Sequence, residues 1–139
     1  MKNKLVGTVS FYLQTTQDCE TTKTTYDVPA TLYSKNDKNY LFFEDQERVK
    51  CRFEFDEENL RMRREGPMVV DQNHIYNKTT TGYIKTPYGQ LSTKIKTHDY
   101  LLRQKPKLKI VLAYDLYIDH EITGTYQLQI QFKEGARSR

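Results

Sequence analysis

The stretch Leu108-Lys109-Ile110-Val111-Leu112-Ala113-Tyr114-Asp115-Leu116-Tyr117-Ile118 decides the fold. Leu108, Ile110, Leu112, Tyr114, Leu116 and Ile118 fall on one side of a two-residue period, with Lys109 and Asp115 on the other. Successive side chains alternate across a strand, so this period predicts a half-buried strand and not a helix. After Asp119-His120-Glu121 the pattern resumes with Ile122, Gly124, Tyr126, Leu128, Ile130 and Phe132. Facing the other way are Thr123, Thr125, Gln127, Gln129, Gln131 and Lys133. The two runs together predict a long hairpin with one dry face and one wet face.

The same period extends towards the N-terminus. Leu5, Gly7, Val9, Phe11 and Leu13 mark a first strand, and Val28, Ala30, Leu32 and Ser34 a second. Asn36-Asp37-Lys38-Asn39 is a turn by composition. Beyond it, residues 40–44, 49–56 and 60–65 read as strands, the last two separated by Glu57-Glu58-Asn59. Gly66-Pro67 interrupts, and residues 68–75, 83–88 and 91–101 complete the series. Leu101-Leu102, shortly before Pro106, is expected to form at most one helical turn. No segment sustains a 3.6-residue apolar period.

Evenly spaced strands without intervening helices predict an all-β fold, a single antiparallel meander β-barrel of about eight to ten strands. At 139 residues the chain has room for one such domain, spanning residues 1–139. A single amphipathic sheet of that width curls until its apolar face meets itself, and closure removes its exposed edges. A two-sheet sandwich is the alternative. Only 37% of the residues are hydrophobic, and mean hydropathy is −0.82. Alternation explains this polarity, because every other residue of each strand faces water.

The formal charge of +4 permits weak attraction to polyanions but is ordinary for a solvated surface. Residues 37–58 hold eight acidic and four basic side chains, whereas 94–109 hold six basic and one acidic. Lys94 and Lys96 are expected to neighbour Lys107 and Lys109 across a hairpin as a basic stripe. The aromatics fall mostly on inner faces, however, and stacking on single-stranded nucleic acid needs them outside, so a nucleic-acid partner is not expected. Cys19 and Cys51 are too few for a disulfide framework. Cys51 alternates in phase with Phe53 and Phe55 and reads as a buried reduced thiol. No apolar run is long enough for a signal peptide or a membrane span. A cytoplasmic protein, monomer or homodimer, without a membrane partner, is the expectation.

Chemistry-bearing motifs are absent. His74, His98 and His120 lack partners at zinc-ligand spacing, so no metal is expected. The six glycines are scattered, so no phosphate loop forms, and no nucleophile elbow is present. No cofactor and no enzymatic activity are expected. The residue that departs from its surroundings is Arg64. In Leu60-Arg61-Met62-Arg63-Arg64, alternation puts Arg64 on the apolar face with Leu60 and Met62. If Gln72 and His74 also point inward, the three form a polar cluster within the barrel. A buried guanidinium must be paired. Arg64 is therefore either an anchor for an anionic ligand group or a structural residue holding an acidic partner or the Gly66-Pro67 carbonyls, and the structural role is the simpler. Tyr114 and Tyr126 could line a ligand pocket together with Arg64, Gln72 and His74, or they could simply fill the core with Phe53, Phe55 and Phe132.

Finally, Gly82-Tyr83-Ile84-Lys85-Thr86-Pro87-Tyr88-Gly89-Gln90-Leu91 carries a Thr-Pro-Tyr-Gly-x-Leu element that resembles the signature of the YwiB-like family of uncharacterised bacterial proteins. The resemblance continues in residues 40–44, in Arg64-x-Gly66, and in residues 114–117 and 124–128. It implies a calycin-like (lipocalin-like) β-barrel and brings no substrate or catalytic residue with it. Residues 15–25 are more polar than that pattern, and the resemblance does not specify their pairing. Locally, Pro87 fixes its own φ and extends Thr86, and Gly89 can adopt a positive φ, so Thr86, Pro87, Tyr88 and Gly89 read as a structural turn. Two functional expectations follow. The barrel either binds a small, partly apolar or anionic ligand inside, or it serves as an interaction module through its outer surface.

Overall fold

The computed structural model of the chain describes residues 3–135. These form ten strands and no helix: β1 (Asn3–Gln17), β2 (Glu20–Lys35), β3 (Lys38–Glu44), β4 (Lys50–Phe55), β5 (Asn59–Glu65), β6 (Val69–Ile75), β7 (Thr79–Thr86), β8 (Gly89–Arg103), β9 (Leu108–Ile118) and β10 (Glu121–Glu134). Each strand pairs antiparallel with its neighbours in sequence, and β10 returns to β1, closing the barrel. The closed meander excludes the sandwich and is consistent with a calycin-like barrel.

Local chemistry sets the turns. Asp18 and Cys19 have φ of 51° and 67°, Asn36 and Asp37 52° and 67°, and Asp119 and His120 53° and 68°. Two consecutive left-handed residues give the two-residue turn whose twist matches that of the flanking strands. Residues 15–17 and 20–25 are thereby paired, from Tyr12↔Thr25 to Gln17↔Glu20, around the Asp18-Cys19 turn of one long β1–β2 hairpin. At the β7–β8 turn the Thr86 hydroxyl donates to the Gly89 carbonyl at 3.0 Å and accepts from the Tyr88 amide at 3.1 Å. Gly89 takes φ 142° there, and Tyr88 is fully exposed at the tip.

The inner face follows the alternation through most of its length. Val9, Leu41, Phe55, Leu60, Ile110 and Phe132 are buried towards the end that carries both termini. Tyr100 seals that end by donating its hydroxyl to the Asp56 carbonyl at 2.6 Å. Burial of each such side chain contributes roughly 1.5–3 kcal/mol. Two bulges break the period. The register shifts between Ile122 and Gly124, so Ile122 lies opposite outward-facing Tyr117 and is exposed. A second shift between Thr97 and Asp99 turns Tyr100 and Leu102 inward and Leu101 out. One extra residue reverses the faces of everything beyond it. The expected helical turn at Leu101-Leu102 is instead part of β8.

The basic stripe does not form. Lys94 lies opposite Tyr117 and Lys96 opposite Asp115, while Lys109 pairs with Arg103 at the far end of β8 and β9. Antiparallel pairing sends the two lysine pairs to opposite ends of the hairpin. Among the described residues no helix is long and apolar enough to cross a membrane.

Candidate functional site

Unequal strand lengths create the site. β2 has 16 residues and β3 only seven, and they pair only from Ala30↔Phe43 to Lys35↔Lys38. Beyond Ala30 the barrel wall is interrupted. There a cavity of about 440 Å³ enters between Thr24 and Tyr26 of β2 and the β3–β4 loop, Asp45 to Glu47. Its wall is largely apolar, with Phe11, Leu13, Phe53, Met62, Val70, Ile84, Leu116 and Leu128. The barrel is therefore packed towards the end carrying the termini and hollow towards the other. A larger hollow of about 940 Å³ lies among the turns at the packed end. It is lined by exposed residues such as Asn36, Asp37, Glu57 and Glu58, and is a solvent groove.

Arg64, Gln72, Tyr114 and Tyr126 all line the cavity; His74 does not. Arg64 donates to Asp45 Oδ2 at 2.7 Å, the acidic-partner arrangement. The carboxylate of Asp45 is fully used, since Oδ1 also accepts the Glu47 and Val49 amides at 2.8 and 3.0 Å. This Asx turn folds the loop and hands one oxygen to Arg64. Burial works against ionisation of Asp45, but the Val49 amide, Arg64 and the Glu47 amide outweigh it and hold the carboxyl below its ordinary range. Burial likewise lowers the pKa of Arg64, and Asp45 with Cys51 more than compensates. Burial pushes the Cys51 thiol up despite Arg64 beside it, so Cys51 is a neutral wall residue and not an activated nucleophile.

His74 sits behind the cavity wall. β6 pairs with β7 only over Val69–Asp71, and its second half leans towards β8. Gly82 makes this possible: a Cβ there would lie 2.3 Å from the Asp71 carbonyl oxygen. His74 Nδ1 lies 2.9 Å from the Thr97 hydroxyl and Nε2 3.1 Å from Gln72 Oε1. Both nitrogens are engaged in the manner of a neutral imidazole, one accepting and one donating. Its ring packs on Tyr114 with centroids 4.5 Å apart. Complete burial lowers its pKa to about 3. The expected cluster of Arg64, Gln72 and His74 is thus divided. Alternation placed all three on one face, but Arg64 stands opposite Val70, Gln72 opposite Met62, and His74 opposite Leu60. Arg64 is nearest the mouth and His74 is deepest.

His74 fixes Gln72 by its oxygen and leaves the amide NH₂ without a protein partner among the described residues. Nor do the hydroxyls of Tyr26, Tyr114 and Tyr126 have hydrogen-bond partners among these residues. The Tyr114 and Tyr126 rings stack at 5.0 Å, and across the cavity Phe11 and Tyr26 stack at 4.5 Å. Asp45 and Tyr26 escaped notice in the sequence, and Phe11 was placed on a strand but not in the site. Asp45 carried one signal, an acidic residue opening a polar loop, and its partner lies 19 residues away. Phe55 and Phe132 are core filling, whereas Phe53 lines the cavity. Among the described residues no group of three or more histidine, cysteine or acidic side chains is placed to hold a metal.

The family model for a domain of unknown function, DUF1934, matches residues 9–130. The chain belongs to the DUF1934 family. The match runs from β1 into β10 and so includes residues 15–25. The crystal structure of the YwiB protein from Bacillus subtilis superposes with a TM-score of 0.82 at 20% identity, covering 96% of this chain and 94% of that one. At that identity the likeness shows the barrel fold alone and says nothing of a ligand. No curated protein matches the chain.

Proposed function

We propose that this DUF1934 barrel binds a small, partly apolar molecule in the cavity beside β2. The observation that carries the reading is the donor-rich polar set on an apolar wall, the Gln72 amide with the Tyr26, Tyr114 and Tyr126 hydroxyls, without partners among the described residues. These groups belong to residues that line the cavity, and a ligand with carbonyl or ether oxygens can accept hydrogen bonds from them. About 440 Å³ falls within the range of small-molecule sites, roughly 300–1,000 Å³.

Between a neutral and an anionic ligand, the Arg64–Asp45 pair at 2.7 Å favours the neutral one. The cation that would anchor an anion is already neutralised, and Glu47 adds a negative charge at the mouth. A reducing, cytoplasmic setting agrees with Cys19 and Cys51, which are both free.

The test uses N-phenyl-1-naphthylamine, a neutral apolar fluorophore. Saturable fluorescence enhancement near one equivalent is expected for the wild type. Thr24→Trp, on an exposed residue at the mouth, is expected to abolish it without lowering stability. Lack of saturable binding, together with no bound mass in native mass spectrometry of protein from its own host, would refute the reading.

A further inference from the structure

The same mismatch that opens the cavity leaves residues 20–29 of β2 paired, among the described residues, with β1 alone. This is a free strand edge of ten residues, and exposed edges of this length recruit further strands unless they are blunted. Thr21, Thr22, Thr24 and Thr25 are strong β formers, and the residues of the kind that blunt edges are Glu20, Lys23, Asp27 and, at its end, Pro29.

We infer that this edge is an interface for a second copy of the chain, the two β2 strands pairing antiparallel about a two-fold axis at Thr25. The charge pattern selects that axis. Lys23 and Asp27 both face outward, in phase with Thr25 and out of phase with inward Tyr26. With Thr25 opposite its symmetry mate, Lys23 of each copy stands opposite Asp27 of the other. Centring on Thr24 or Tyr26 instead sets each of these charges against an uncharged residue. The register about Thr25 runs from Thr21 opposite Pro29 through Pro29 opposite Thr21, and so stays within the unpaired segment. It stops just short of Ala30, where β3 takes over the edge. An isologous contact of this kind closes after two copies and does not propagate.

Within the barrel Lys23 stands beside Gln14 and Asp27 beside Ser10 of β1. Exchanging their charges therefore creates no new conflict inside one chain. Sedimentation equilibrium of the wild type at about 100 µM, a concentration that populates a weak but specific complex, is expected to show a dimer. Lys23→Asp or Asp27→Lys alone sets like charges opposite one another twice per dimer and is expected to weaken association by about thirtyfold. The double variant Lys23→Asp/Asp27→Lys restores opposite charges and is expected to restore the dimer. A wild type that stays monomeric overturns the inference. So does a dimer indifferent to the single exchanges, or one that the double exchange fails to rescue. Far-ultraviolet circular dichroism of each variant confirms that its barrel is intact.

Discussion

Lowering the pH from 7 to 5 is expected to destabilise this barrel through His74 alone by an amount that chemical denaturation can resolve. The imidazole is completely buried and neutral, with its pKa lowered from 6.5 to about 3 by desolvation. The unfolded chain binds the proton more readily than the folded one. The contribution of His74 is therefore fully present above pH 6.5 and is lost as the pH falls towards 3. From pH 6.5 to pH 5 is about 1.5 units, and at about 1.36 kcal/mol per unit the loss is roughly 2 kcal/mol. That is a substantial part of a total stability of about 5–15 kcal/mol. It corresponds to a fall in melting temperature of about 5–8 °C for a domain of this size.

The comparison is wild type against His74→Gln, which cannot titrate. At pH 7 the variant is expected to be less stable by about 1–3 kcal/mol, because the Thr97 hydroxyl and Gln72 carbonyl lose a well-placed partner. Between pH 7 and 5, however, its urea midpoint is expected to stay nearly flat while that of the wild type falls. The difference between the two slopes isolates His74 from His98 and His120, which both proteins retain. Equal slopes would refute the argument, since they would mean that the folded protein accepts the His74 proton as readily as the unfolded chain does.

Two further outcomes follow from the site. Asp45→Ala removes the acceptor for two backbone amides and for Arg64; the guanidinium is partly exposed, so after solvent screening the expected loss is about 2 kcal/mol, whereas Asp45→Asn preserves the Asx turn and is expected to lose less in the same urea titration. Gly82→Ala drives a methyl group against the Asp71 carbonyl and is expected to cost about 1–3 kcal/mol, read as a lower denaturation midpoint with an unchanged slope; an unchanged midpoint would show that β6 and β7 separate freely there.

The inner face of β9, Leu108 to Leu116, and of β10 from Tyr126 to Phe132 was legible in the sequence because side-chain direction is a local, two-residue property. The turns at Asn36-Asp37 and Asp119-His120 were legible for the same reason: the residues that accept left-handed backbone are few. Arg64 also stood out locally, as a charge in an apolar phase. What failed was whatever depends on counting across strands. A single extra residue at Thr123 and another at His98 exposed Ile122 and Leu101, and no local signal distinguishes a bulge from continued alternation. Antiparallel pairing separated Lys94 and Lys96 from Lys107 and Lys109.

The sequence by itself determined that the chain is an all-β antiparallel meander and, away from the two bulges, which side chains face its interior, because alternation and turn chemistry act within a few residues. That the meander closes on itself was decided by the pairing of β10 with β1. Only the tertiary structure decided that Arg64 is satisfied by Asp45, that His74 stands behind the cavity and not in it, and that the barrel is solid at one end and hollow at the other. Each of these depends on the stagger of one strand against another and on volumes summed over ten strands. The mismatch between sixteen residues in β2 and seven in β3, which opens both the cavity and the free edge, has meaning only once the two strands lie side by side.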